Sequence, residues 1–380
     1  MTFATLALIC AVSLLGPVLS MTGPVRLPVV VGELAVGVIL GRTGLGLVHS
    51  TDPTFSFMAQ VGFAVVMFIA GSHVPLHHPA LRRGLGRGTG RALLVAAVAA
   101  PVGLGLGYLF GTGHGALYAV LLASSSASLV MPTLEGVEVS STAGVEMLVQ
   151  LTVADAATIV VLPLVVDPAR ARTAALGTAA VLACAVVAWA IIVKLSAHGR
   201  RRRLHVVSED HHLAVEVRIV LVLLFALCAV AASTGVSVML AGFCAGLVVS
   251  AAGEPRRVEH QVFAVGEGFF APIFFVWLGS GLDLRSLASH PAAIGLGLAL
   301  GLAAVGVHSL GTLARQPWPL AAVTAAQLGV PVAAAALGTA QGSLAPGEAT
   351  ALLLGALVTV ATVTLVSPRV RGLVRADTNC

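Results

Sequence analysis

Hydrophobic positions along this chain do not alternate, and they form no one-sided stripe over a polar helix face. They come as continuous apolar runs about 20 residues long, divided by short polar turns, which is the pattern of helices that cross a lipid bilayer. Thirteen such runs can be drawn, over 3–22, 27–48, 55–72, 91–111, 115–134, 143–166, 173–195, 213–233, 234–251, 261–281, 290–312, 317–341 and 349–367. Lipid offers no hydrogen bonds to backbone, so each crossing segment must satisfy its own amides, and continuous runs of this length do so as α-helices. The inside/outside alternation of a membrane β-barrel is absent. The expected fold is therefore all-α and polytopic, with about thirteen transmembrane helices.

The positions of Lys and Arg test that count. With the N-terminus outside, the cytoplasmic side receives Arg26, Arg82, Arg83, Arg87, Arg91, Lys194, Arg200 to Arg203, Arg218, Arg256, Arg257, Arg315, Arg369, Arg371 and Arg375, which is 17 of the 21 basic residues. Arg42, Arg170, Arg172 and Arg285 stay outside. Basic residues accumulate on the cytoplasmic side of membrane proteins, so the asymmetry favours thirteen spans in the cell membrane, N-terminus out and C-terminus in.

Composition agrees: 58% of the 380 residues are hydrophobic and 10% charged, with a mean hydropathy of +1.01, against about 25% charged in soluble domains. The net charge of +5 belongs to the loop arginines and calls for no nucleic acid. The HGRRRRLH run between Lys194 and His212 reads as a stop-transfer anchor facing anionic lipid. Cys10, Cys184, Cys228, Cys244 and Cys380 form no CxxC pair, which leaves neither a disulfide nor a zinc framework. The first run lacks a basic leader and reads as a retained span. The expected organisation is one transmembrane domain over 1–372 and a short cytoplasmic tail over 373–380, without a nucleotide-binding regulatory domain.

Polar groups inside such runs are expensive and mark pathways or partners. Asp155 stands at the middle of the sixth run, VEMLVQLTVADAATIVVLPLVV, with Thr152 one turn before it on the same face and Gln150 and Glu146 further back. A lone carboxylate at that depth can hold a proton or a cation but not easily both, which is the requirement for exchange. The fifth run, ALYAVLLASSSASLVMPTLEG, is interrupted by Ser124, Ser125, Ser126, Ser128 and Pro132. The twelfth, LAAVTAAQLGVPVAAAALGTAQG, is interrupted by Gln327, Gly329 and Pro331. Breaks at matching depths in two halves point to a transporter site at the bilayer midplane. Their offset of seven spans makes spans four to six and eleven to thirteen two inverted copies with broken, crossing helices. His308 lies late in span eleven, where a histidine either titrates or, near the interface, is hydrogen-bonded or snorkels. Glu33 in span two lines a vestibule or bonds a neighbouring helix. His73, His77 and His78 end span three beside a basic loop and read as interfacial, as does Glu267. RRGLGRGTGR follows no strand and is no dinucleotide loop.

At these residues the sequence resembles the monovalent cation:proton antiporter superfamily, in particular the branch of bacterial sodium/proton and potassium-efflux exchangers. PVVVGELAVGVILGRTGLG, FMAQVGFAVVMFIAGSHV, ASSSASLVMPTLEG, LTVADAATIVVLPLV, FCAGLVVS and FFAPIFFVWLGSGLDL are similar to its successive signatures, in order and over almost the whole chain. The resemblance implies two inverted repeats, a core domain with two unwound crossing helices, a second domain that forms a homodimer, and an elevator movement of the core. It maps the ion-binding aspartate onto Asp155 and the unwound hydroxyl positions onto Ser125 and Ser126. Three departures thin the site. Ala154 precedes the aspartate, where the family places Asp, Asn or Gln. His308 stands where a basic residue is frequent. QLGVPVA lacks the acid of the twelfth-span signature.

The leading expectation is a secondary antiporter exchanging Na⁺ or K⁺ for protons, electroneutral because one carboxylate carries both. Asp155 is the cation and proton site. Ser124, Ser125, Ser126 and Thr152 replace lost hydration, and His308, Gln327 and Glu33 tune the site. No cofactor, resident metal or catalytic constellation is implied, so the chain is not expected to be an enzyme. Two alternatives stay open: a transporter of the same architecture for another solute, and a transport-dead membrane component that senses ions or binds a partner.

Overall fold

The computed structural model describes residues 1–22, 29–74, 79–127, 129–130, 142–197, 214–253, 256–282, 284–285 and 291–377. Ser128, Pro132, His77, His78 and most of the HGRRRRLH loop lie outside them. The described residues are almost entirely helical and contain no strand. In chain order the helices are α1 (Phe3–Ser13), α2 (Leu15–Thr22), α3 (Val29–Leu40), α4 (Pro53–Ser72), α5 (Pro79–Leu109), α6 (Gly115–Ala123), α7 (Thr142–Val166), α8 (Ala171–Ala197), α9 (Val215–Ser233) and α10 (Val238–Ala252). They continue with α11 (Arg256–Val265), α12 (Ala271–Gly281), α13 (Pro291–Ser309), α14 (Trp318–Val323), α15 (Gly329–Gln341) and α16 (Glu348–Asp377). Among the described residues, eight helical stretches are long and apolar enough to cross a membrane, and three shorter apolar helices accompany them.

Local chemistry sets the ends. Asp52 caps α4 by accepting from the Phe55 amide at 3.0 Å, and Pro53 opens the helix where its missing N–H costs nothing. Ser237 caps α10, which closes on Gly253 in the left-handed conformation.

The helices form two groups. In the first, α4 packs on α10 and α3 packs on α12, with α8 and α9 beside α10 and with α1 against α3 and α12. Small residues permit these crossings. A Cβ at Gly242 would meet the Ala64 carbonyl, and one at Gly246 the Phe68 carbonyl. Glycines four residues apart thus let two backbones touch, a common device where lipid supplies no hydrophobic drive between helices. Gly37 and Gly279 do the same between α3 and α12. Phe63 and Phe274 stack with ring centroids 4.5 Å apart where α4 meets α12. A π-helical turn over Gly266–Phe270 joins α11 to α12 inside what reads as one uninterrupted apolar run.

The second group consists of α5, α6 and α7 together with α13, α14, α15 and α16. In each half a flanking pair embraces a broken element: α5 packs on α7 around α6, and α13 packs on α16 around α14 and α15. Helix α5 begins twelve residues before the apolar run from which a span starting at 91 was expected. The glycines of RRGLGRGTGR explain the extension. Gly84 faces Val145, and a Cβ at Gly88 would press on the Glu146 carbonyl at 2.6 Å, so this polar turn lies directly against α7. Arg87 and Arg91 then reach Glu146 at 3.3 and 2.9 Å.

Candidate functional site

Both broken elements stop for the same reason. Helix α6 ends at Ala123, and Ser124 turns extended at φ −73°, ψ 152° while its hydroxyl donates back to the Leu121 carbonyl at 2.8 Å. Helix α14 ends at Val323, and the Thr324 hydroxyl lies 2.7 Å from the Ala321 carbonyl, three residues back. A hydroxyl that bonds its own preceding turn competes with continued helix and occupies a carbonyl the helix end leaves free. Beyond the second break, Leu328 takes φ −146°, ψ −58° before α15 resumes at Gly329.

The two breaks meet. The Ser125 hydroxyl donates to the Thr324 carbonyl at 2.7 Å, 199 residues away in the chain. Gln150 on α7 donates from Nε2 to the Thr324 hydroxyl oxygen at 3.4 Å. His308 on α13 places Nδ1 3.0 Å from that same oxygen and Nε2 3.2 Å from the Leu122 carbonyl at the end of α6. The Gln327 amide donates to the Thr359 hydroxyl of α16 at 3.1 Å. Helices α6, α7, α13 and α16 and the break after α14 thus contribute to one buried polar crossing.

Asp155 lies beside it. Its side chain is buried, and its carboxylate accepts the backbone N–H of Ala127, where the chain turns helical again after the serines. The amide end of a helix carries partial positive charge, so this is a favourable place for a carboxylate. Among the described residues Asp155 has no ion pair and no side-chain hydrogen bond. That contrasts with Glu146, which is equally buried on the same helix but holds two arginines. The Gln150 Oε1 and Gln327 Nε2 atoms are buried without a partner.

The structure therefore brings Asp155, Ser124, Ser125, Ser126, Gln327 and His308 into one region. The Ser126 carbonyl accepts from the Leu129 and Val130 amides, which starts the second half of the broken helix. Thr152 is half-buried one turn before Asp155, and no hydrogen bond ties its hydroxyl to the crossing. Glu33 is elsewhere: it is buried on α3 with its side chain against Gly16 of α2. His308 is fully buried with both ring nitrogens in hydrogen-bond contact, so the snorkelling reading of that histidine does not apply. Thr324 and Thr359 were missed. Thr324 carried a readable signal, since it holds the same place before QLGVP that Ser124 holds at the end of α6. No group of three or more His, Cys, Asp or Glu that could hold a metal occurs among the described residues.

A buried carboxylate beside the meeting point of two helix breaks is the site this fold offers to a small cation or a proton. The chain belongs to the sodium/hydrogen exchanger transmembrane family, whose model matches residues 10–372. A putative Na⁺/H⁺ antiporter of Bacillus subtilis, YjbQ, is 25% identical over 307 residues, covering 75% of this chain and 48% of its own length. The chain thus spans about half the length of that relative. A Na⁺/H⁺ antiporter of Enterococcus hirae is 24% identical, over 70% of this chain and 69% of its own. The sodium proton antiporter MjNhaP1 of Methanocaldococcus jannaschii shares the fold, with a TM-score of 0.66 at 15% identity over 98% of this chain and 97% of that one.

Proposed function

We propose that this protein exchanges a monovalent cation, Na⁺ or K⁺, for protons across the cell membrane, and that Asp155 carries both. The observation behind this reading is the near-solitude of the Asp155 carboxylate, which is buried at mid-span with one backbone N–H for company. A bare anion there is costly. Either a proton or a partly dehydrated cation relieves that cost, and each excludes the other, so the two are coupled by competition for one charge. Ser124, Ser125, Ser126 and Thr152 supply the oxygens that replace hydration, while Gln327 and His308 shape the opposite wall. Glu33 acts at a distance if at all.

With one carboxylate per site the exchange is one cation for one proton and electroneutral. The α5–α7 and α13–α16 group forms the mobile core that carries the site between the two sides as an elevator. The α1–α4 and α8–α12 group forms the scaffold and the homodimer contact. Thirteen passages place the N-terminus outside and the C-terminus in the cytoplasm.

The reading is tested with everted vesicles from an antiporter-deficient host, by pH-sensitive fluorescence. Na⁺, K⁺ or Li⁺ collapses an imposed proton gradient with wild-type protein and fails to do so with Asp155→Asn. Turnover in proteoliposomes that follows an imposed membrane potential would count against electroneutrality.

A further inference from the structure

We infer that Thr324 is a positioning residue of the ion site: standing at the break before α15, it holds Ser125, Gln150 and His308 in register around the crossing. This rests on the exchange reading above and deepens it.

The argument is one of donors and acceptors. A carbonyl oxygen only accepts, so the contact of His308 Nε2 with the Leu122 carbonyl requires the ring proton on Nε2. Nδ1 is then a bare acceptor, 3.0 Å from the Thr324 hydroxyl. That hydroxyl has one proton and two acceptors for it, Nδ1 and the Ala321 carbonyl at 2.7 Å. Its lone pairs take the Gln150 amide. The Thr324 backbone carbonyl takes the Ser125 proton, which leaves the lone pairs of the Ser125 oxygen unspent and available to a cation. One residue thus joins α7, α13 and both breaks.

The corresponding residue of the other half does no such work. Ser124 is as deeply buried and makes the same backward bond to its own helix, but its hydroxyl hydrogen bond stays within that turn. The two breaks share the backward hydroxyl bond but differ in backbone, extended at Ser124 and still helical at Thr324, and in which cap hydroxyl links its neighbours. His308 spans the difference, bonding the last turn of α6 through Nε2 and the α14 cap through Nδ1. Without the Thr324 hydroxyl, Gln150 Nε2 and His308 Nδ1 lose their shared partner in a region already holding the unpaired Gln150 Oε1. Unmade bonds there cost more than the same bonds at a surface.

The test measures initial proton flux against cation concentration in vesicles, normalised to folded protein, for wild type, Thr324→Ser, Thr324→Val and Thr362→Val. Thr324→Val raises the half-saturating cation concentration roughly five- to tenfold, with maximal rate changed far less. Thr324→Ser restores it to within about twofold. Thr362→Val, which removes a hydroxyl bonded only to its own helix at Val358, leaves it unchanged. Should Thr324→Val not fold, Gln150→Met gives the same rise from the other end of the bond. Where both fold, the double variant is no worse than Thr324→Val, because partners in one network do not add. Wild-type half-saturation in Thr324→Val, additive effects, or a serine variant as poor as the valine overturns the inference alone. A wild type without flux for any of Na⁺, K⁺ and Li⁺ overturns the exchange reading and this inference with it.

Discussion

Asp155 and Glu348 are both buried carboxylates, and their surroundings are opposite. Glu348 opens α16 and takes the Tyr118 hydroxyl, His114 Nδ1 at 2.8 Å and the Ala345 amide at 2.8 Å. Asp155 at mid-helix takes one backbone N–H. A carboxylate with three donors is a joint. Its bonds tie the start of α6 to the start of α16, and a proton or cation arriving there would have to displace them. A carboxylate with one donor is unfinished, and in the exchange proposed above a mobile charge completes it. Glu146 falls with Glu348, since Arg91 and Arg87 complete it. On that proposal the number of donors on a buried acid, more than its depth, separates the acid that holds the fold from the acid that exchanges its charge.

The largest effect that sharpens this contrast is at Asp155. Asp155→Asn is expected to lower cation-driven proton flux at least about a hundredfold, while the melting temperature in detergent stays level or rises, because an unpaired buried charge is removed. A clear fall in melting temperature would make Asp155 a joint like the others. Next is Arg91→Met. Arg91 is buried, pairs with Glu146 and donates to the Ala314 carbonyl at 3.2 Å. Removing it strands a buried carboxylate, so a destabilisation of about 3–5 kcal/mol is expected, readable as a large loss of folded protein on size exclusion after heating. Glu348→Ala comes third. Tyr118, His114 and the Ala345 amide lose their acceptor, for about 1–3 kcal/mol of stability, but flux per folded molecule is retained. Loss of flux in a normally folded Glu348→Ala would break the comparison, for that acid would then belong to transport.

The same contrast explains what was legible in the chain. Lipid makes apolar runs obligatory, so the helices announce themselves by length. Pro, Gly and Ser are the residues that interrupt such a run, so Ser124 to Ser126 and Gln327 to Pro331 marked the breaks. Asp155 was visible because nothing near it in the chain could pair with it. The joints were not visible. His114, Tyr118 and Glu348 sit at run ends, where polar residues are ordinary, and the two halves of that cluster are 230 and 234 residues apart. Arg91 counted only as an orientation charge, although its guanidinium turns inward to Glu146. The π turn at Gly266–Phe270 leaves no signature in an apolar pattern. Thr324 shows its meaning only when the run before QLGVP is laid against the run that ends at Ser124.

The smallest expected effect is at Glu33, and it is the sharpest check on counting donors. Glu33 resembles Asp155 in being buried without an ion pair among the described residues, and there it lacks even the one backbone N–H that Asp155 accepts. By solitude alone it would be a second exchange site. Its packing argues otherwise. A Cβ at Gly32 would lie 2.6 Å from the Gly16 Cα, and one at Gly16 would lie 3.2 Å from the Glu33 Cγ. Here α2 and α3 touch through glycine backbones, and among the described residues Leu14 between α1 and α2 stays helical, so no extended break turns amides or carbonyls toward an ion. An acid in such a contact can be replaced by its uncharged isostere without disturbing a transport path. Glu33→Gln is therefore expected to leave half-saturation within about twofold of wild type and to change stability by less than about 1 kcal/mol. A loss of flux comparable to that of Asp155→Asn would mean that solitude, without a helix break beside it, is enough to make a buried acid functional.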